Sequence, residues 1–169
     1  SPELMKDYYA QNLLIVDLGG GTCDWLLSND RKFISSRSGA YQKGVLACVY
    51  AICEAINKNY STDPMVVQRI DDALRGGKQT FKLSGIEYKT SEYLVYARHI
   101  LHECLNQVFT SVGSLTSVDQ IIFTGRGGKI LFKGAKEVWP DNKNVMVIDE
   151  DPVFSNVRGF FKLGMMLNA

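Results

Sequence analysis

The segment Leu13-Leu14-Ile15-Val16-Asp17-Leu18-Gly19-Gly20-Gly21-Thr22-Cys23-Asp24 holds a strand, a bend and the start of a return strand. The apolar run from Leu13 to Val16 marks a strand buried on both faces, and Asp17 ends it. Gly19-Gly20-Gly21-Thr22 then forces a tight turn into a second strand, Cys23 to Leu27. An aspartate at the carboxyl end of a buried strand faces the crevice where open α/β sheets bind ligands, and a carboxylate there can hold a hydrated Mg²⁺. Glycines lack the side chains that keep backbone N–H groups away from phosphate oxygens, and Thr22 adds a hydroxyl. Gly19, Gly20, Gly21 and Thr22 are therefore candidate phosphate contacts, and Asp17 and Asp24 candidate metal ligands. A plain hairpin turn suits the same residues, with glycine chosen for positive φ and Asp17 for local capping. Asp24, at the foot of the return strand, also fits a structural role.

Downstream, Asn29-Asp30 turns into a third strand, Lys32 to Ser36, completing a meander. Tyr41 to Tyr60 places Val45, Val49, Ile52, Cys53 and Ile56 at helical spacing, so one face of this helix packs on the sheet. Asp63-Pro64 caps and opens a further helix that Gly76-Gly77 stops. Gln79 to Leu83 and Ile86 to Lys89, joined at Ser84-Gly85, read as a hairpin. From Ser91 a helix carries Leu94, Ala97, Leu101, Cys104, Leu105, Val108 and Val112 on one side. Val118 to Thr124 and Val145 to Ile148 are two more buried strands, separated by a helix running toward Trp139-Pro140, and Pro152 opens a terminal helix to about Leu167. The expected fold class is α/β: a five-stranded mixed sheet with helices on both faces and a small helical and hairpin insert at about residues 61–90. Residues 1–11 read as a tail or linker, and residues 12–169 as the domain.

Composition narrows the function classes. The 169 residues suit one domain, and 46% hydrophobic with 22% charged residues is globular. A net charge of +1 provides no basic field for holding nucleic acid, so no direct nucleic-acid contact is expected. Cys23, Cys48, Cys53 and Cys104 form no C-x-x-C pair, which argues against a zinc ribbon or disulfide framework and for a reducing, cytoplasmic setting. The apolar run Val45 to Cys53 is too short for the roughly 20 residues that cross a bilayer, and no leader pattern opens the chain, so no membrane partner is expected.

A second glycine-rich segment, Thr124-Gly125-Arg126-Gly127-Gly128, follows a buried strand and opens a helix. Its glycines would let backbone lie against a base or sugar phosphate, with the helix N-terminus favouring negative charge. Close packing of helix on strand explains them as well. Ile130 stands where a dinucleotide fingerprint needs glycine, and no G-x-x-x-x-G-K-[ST] occurs, which excludes P-loop chemistry. Arg126 could stack on a base or be a solvated loop charge. Lys43, beside Gly44 at the entry to the first helix, could reach the same crevice or lie on the surface. His99, His102, Glu103 and Cys104 lack the spacing of a zinc site, and no nucleophile elbow appears.

Taken together and in this order, the two glycine segments resemble the second half of an actin-like ATPase, a domain of the ribonuclease H-like superfamily of actin, sugar kinases and heat-shock chaperones. Asp17 to Asp24 is similar to that family's second phosphate motif and Thr124 to Gly128 to its adenosine motif. Asn156-Val157-Arg158-Gly159-Phe160-Phe161-Lys162-Leu163-Gly164 resembles the carboxyl-terminal helix of the ParM and StbA branch, which segregates plasmids, and the Gly44-Val45 helix entry fits it. The resemblance implies that Asp17 is the catalytic carboxylate that binds Mg²⁺ and orients water, that Gly19 to Thr22 contact phosphates, and that Gly125, Gly127 and Gly128 contact the adenosine of ATP or GTP. Arg126 departs from the family's run of small residues, and Gln68 and Arg69 fall where relatives contact base or ribose. The family's first phosphate motif and catalytic acid lie in another domain, and no second Asp-x-Gly strand precedes Asn12. The chain is thus expected to be the carboxyl-terminal half of an ATPase site, hydrolysing very slowly at best when alone, because phosphoryl transfer depends on positioning and charge from both sides. Its implied partners are the missing amino-terminal domain, further copies in a filament and a DNA-bound adaptor. The alternatives are half of a small-molecule kinase of the same superfamily and a non-catalytic interaction module.

Overall fold

The computed structural model describes residues 11–30 and 32–149. Eight strands run in chain order as β1 (Leu13–Leu18), β2 (Cys23–Asn29), β3 (Lys32–Phe33), β4 (Gly39–Tyr41), β5 (Thr80–Leu83), β6 (Ile86–Lys89), β7 (Gln120–Thr124) and β8 (Met146–Ile148). Among the described residues four α-helices intervene: α1 (Val45–Ile56), α2 (Pro64–Arg75), α3 (Thr90–Val112) and α4 (Gly128–Val138). The main sheet has the order β3-β2-β1-β7-β8, with β4 also on β2. β1 is antiparallel to β2 and parallel to β7, and β7 is parallel to β8, which makes the sheet mixed.

The expected third strand is divided. β3 pairs with Ser28 and Asn29, whereas β4 pairs with Cys23 to Trp25, and a 3-10 turn at Ser35–Arg37 separates them. Arg37 donates to the carbonyl oxygen of Val112 at the end of α3, anchoring that turn, and a side chain on Gly39 would begin 2.9 Å from the Trp25 ring. Strand pairing thus takes Gly39 to Tyr41, and the first helix begins only at Val45. The α2 start is as expected: Asp63 accepts hydrogen bonds from the N–H groups of Met65 and Val66.

Strand alternation divides the buried residues. Leu14, Val16, Leu18, Ile121 and Phe123 join the large core, to which all four described α-helices contribute, including Val49 and Ile52 of α1, Ile70 of α2, Leu105 of α3 and Leu131 of α4. Ile15 and Ile122 point the other way and pack with Leu26 and Val147, without a residue from a described helix. The helix expected from Pro152, and the segment resembling a family terminus within it, lie outside the described residues, as do residues 1–10 of the expected tail. β5 and β6 form the expected hairpin, a separate sheet. Phe81 stacks on Tyr88 with ring centroids 5.4 Å apart, and both meet Tyr93 of α3 edge-on.

Candidate functional site

The three parallel strands β1, β7 and β8 end on the same edge of the sheet, which brings the loops after β1 and β7 together. Asp17 stands in register with Asp24 on one side and Thr124 on the other. The hydroxyl of Thr22 donates to Asp24 Oδ2 at 2.7 Å, and the Thr124 hydroxyl donates to Asp149 Oδ2 at 2.6 Å just past β8. A transverse row of carboxylates and hydroxyls therefore crosses the sheet where its loops emerge. Asp24 has a local structural role, holding Thr22 at the end of the glycine turn.

That turn is not the hairpin in which glycine supplies positive φ. Among the described residues the positive-φ glycines are Gly77, Gly85, Gly113 and Gly125, and none of Gly19, Gly20 or Gly21 is among them. Close packing does not demand glycine at the tip either. Among the described residues a Cβ on Gly21 would have nothing within 4 Å, and one on Gly20 would meet only Arg126 Nη1 at 3.6 Å. The Gly19 N–H donates to the Thr22 carbonyl at 2.9 Å, whereas those of Gly20, Gly21 and Thr22 donate to no group among the described residues. Successive uncommitted N–H groups with no side chain over them are the donor set an anion such as phosphate requires.

The carbonyls of the same turn face inward. Gly19 O accepts from Val45 N at 2.9 Å and Gly20 O from Leu46 N at 3.0 Å, so the turn caps the first turn of α1. The backbone contact is so close that a Cβ on Gly44 would lie 2.5 Å from Gly19 O, which explains glycine at that helix entry. Lys43, next to it, is directed elsewhere. Its Nζ donates to Glu103 Oε2 at 2.6 Å, and this bond holds the Lys43 ammonium above its ordinary pKa and the Glu103 carboxyl below its own.

The second glycine segment meets the first at Asp17. Gly125 has φ +84°, and a Cβ there would fall 1.9 Å from Asp17 Oδ1. Gly127 donates its N–H to Leu18 O at 2.9 Å, and a Cβ on it would overlap Leu18 and Val45 at 2.4 and 2.5 Å. Packing therefore accounts for Gly125 and Gly127, while Gly128 sits at ordinary contact from Phe123. Arg126 is not a free loop charge: its Nη2 donates to Asp71 Oδ2 of α2 at 2.9 Å. Asp71 carries no signal in the residue pattern, since a carboxylate in a helix with other charges reads as solvated, yet its side chain is only 9% exposed. Gln68 is exposed, and Arg69 donates to Lys82 O at 3.1 Å, so the link from α2 to the glycine loops runs through Asp71 one turn later.

Among the described residues no group of three or more His, Cys, Asp or Glu is arranged to hold a metal ion. His102 lies 3.6 Å from Glu137, and Cys104 is buried in the core. Mg²⁺ carried by a nucleotide keeps several waters and takes one or two protein carboxylates, and Asp17 and Asp24 stand in register on adjacent strands. No described helix is long and apolar enough to cross a membrane.

No protein-family model matches the chain, and neither does any curated protein. Solved structures do. An archaeal actin homologue superposes with a TM-score of 0.69 at 16% identity, over 96% of this chain and 52% of its own. The pSK41 ParM protein in its apo form gives 0.62 at 23% identity, over 95% and 43%. A 15-stranded ParM filament from Clostridium botulinum gives 0.66 at 19%, over 93% and 46%. The chain has the actin-like fold of these proteins and spans about half of their length.

Proposed function

We propose, with the actin-like fold as premise, that the chain is the carboxyl-terminal lobe of a ParM-like ATPase and forms one wall of its Mg²⁺-nucleotide site. The observation that carries this reading is the turn from Gly20 to Thr22, whose N–H groups have no acceptor among the described residues and whose glycines have neither positive φ nor a neighbour requiring them. In this reading those N–H groups bind phosphate oxygens, the Thr22 oxygen adds a contact, and Asp17 holds Mg²⁺ and orients water, with Asp24 steadying Thr22. Gly125, Gly127 and Gly128 keep the second loop close against Asp17, on the side where a nucleoside would lie. Bound Mg²⁺ would supply charge neutralisation at the phosphates. The second wall, with the catalytic acid, comes from an amino-terminal domain, as the coverage of about half of each related structure suggests.

ParM and filament structures among the neighbours support self-association as the further role, with the nucleotide setting the polymer's state and a DNA-bound adaptor linking it to a plasmid. Residues 61–90 act as the insert subdomain, and the setting is cytoplasmic. Calorimetric titration of the chain with Mg-ATP and Mg-GTP tests the reading. We expect metal-dependent binding that Asp17→Ala removes; an absence of heat with both would leave a non-catalytic interaction module. Electron microscopy of the full-length protein with nucleotide separates a filament former from a small-molecule kinase.

A further inference from the structure

From the geometry of Arg126 we infer that its guanidinium binds nucleotide phosphate, rather than stacking on the base, and that Asp71 is the positioning residue that aims it. The inference rests on the nucleotide reading above and deepens it. Arg126 lies on the second glycine loop, yet among the described residues its Nη1 comes within 4 Å of where a Gly20 Cβ would stand, at 3.6 Å. Nη2 is taken by Asp71 at 2.9 Å, which leaves the Nη1 edge of the fork on the Gly20 side of the turn that carries the uncommitted N–H groups. A guanidinium presents five donors in a rigid plane, so it can hold a carboxylate with one edge and a phosphate with the other.

Asp71 is suited to aiming. Its side chain is 9% exposed, and Oδ2 also receives Arg75 Nη2 at 3.0 Å, while Arg75 bonds Asp72 at 2.5 Å. The carboxylate is therefore fixed on α2 before any ligand arrives. Arg126, with a side chain 49% exposed, keeps solvent access for an incoming anion. A cation adds to neutral N–H donors what the turn lacks, since charge-assisted bonds to phosphate are roughly twice as strong as neutral ones. It also ties the phosphates to α2, the helix opening the insert.

The test titrates the chain, as wild type and as Arg126→Ala, Arg126→Lys and Asp71→Asn, with Mg-ADP, tripolyphosphate and adenosine, with circular dichroism to verify folding. We expect Arg126→Ala to lose about tenfold in affinity for Mg-ADP and tripolyphosphate and to bind adenosine like wild type. Arg126→Lys, which keeps the charge without the fork, should fall between them. Asp71→Asn should weaken the two phosphate ligands only, and adding it to Arg126→Ala should cost nothing more. Equal loss for adenosine would mean that Arg126 contacts the base, and unchanged affinities would mean that it contacts nothing; either overturns the inference while leaving the nucleotide reading intact. Failure of the wild-type chain to bind Mg-ADP or tripolyphosphate would remove both.

Discussion

The position that a Cβ of residue 125 would occupy lies 1.9 Å from Asp17 Oδ1, inside the volume of the carboxylate itself. Two loops that are far apart in the chain are thus pressed together at one aspartate, and Gly127 N to Leu18 O, at 2.9 Å, closes the contact. The adjacency follows from the parallel register of β1 and β7, which sets Asp17 opposite Thr124. Whatever binds over Asp17 is therefore bounded by both glycine segments at once.

Gly125→Ala should destabilise the fold strongly. A left-handed conformation costs a non-glycine residue roughly 1–2 kcal/mol, and displacing the Asp17 carboxylate and the Leu18 carbonyl adds overpacking of about 1–3 kcal/mol. Urea denaturation should give a loss of at least about 2 kcal/mol on the same grounds. A change within about 0.5 kcal/mol, the range of an innocuous surface substitution, would show that the loops are not in contact as described.

Gly21→Ala should behave in the opposite way. Its φ is not positive and no non-adjacent atom of the described residues lies within 4 Å of the new methyl, so folding should be unharmed or gain about 0.4–1 kcal/mol from reduced unfolded-state entropy. Mg-ADP affinity should nevertheless fall severalfold, because the methyl enters the space that a phosphate oxygen would need. Thermal melting and calorimetry on one sample check both halves; retained affinity would remove the argument that this glycine serves a ligand.

The contrast between Gly21 and Gly125 shows what could be read from residue order alone. Apolar runs ending in aspartate or threonine, then glycines, located both loops and their strands, and Asp63-Pro64 with Gly76-Gly77 bounded α2. Which glycines packing requires and which it does not depends on distances to Leu18, Val45 and Asp17 that no local pattern encodes. The partners of Lys43 and Asp71 were not legible for a related reason. Lys43, beside a helix entry, suggested the crevice, but Glu103, sixty residues away, captures it; Asp71 has no local signal for burial, and Arg126 reaches it from the other side of the insert. The second piece of the divided third strand sets Gly39 against Trp25, again a contact between separate strands.

The Lys43–Glu103 pair gives a titration with a definite sign. The bond from Lys43 holds the Glu103 carboxyl below its ordinary 4.5, so the folded form binds its proton less readily than the unfolded chain. Any stability the pair supplies is present above that ordinary value and disappears as pH falls through the folded one. Both side chains are about two-fifths exposed, so the contribution is small and salt-sensitive. Carboxyl NMR should place the Glu103 midpoint below 4.5 and return it upward in Lys43→Met; an identical midpoint in both would disprove the contact.

The buried thiols predict alkaline behaviour of the opposite sign. Burial pushes Cys48 up to about 12 and Cys53 up to about 11, while a hydrogen bond with the Cys104 side chain, together with burial, raises Cys23. In the unfolded chain these thiols ionise near 9.0, so between that value and the folded ones the native state holds more protons. The associated stability is complete below about pH 9 and is lost progressively toward pH 11 to 12. All four cysteines are free and buried, and a thiol must ionise to attack a disulfide reagent. At pH 8 the native chain should therefore react far more slowly than the same chain in denaturant, and denaturation midpoints should fall as pH rises above 9, the ordinary thiol value. Substituting Cys48→Ala and Cys53→Ala together should flatten that alkaline slope, and an unchanged slope would assign it to other groups.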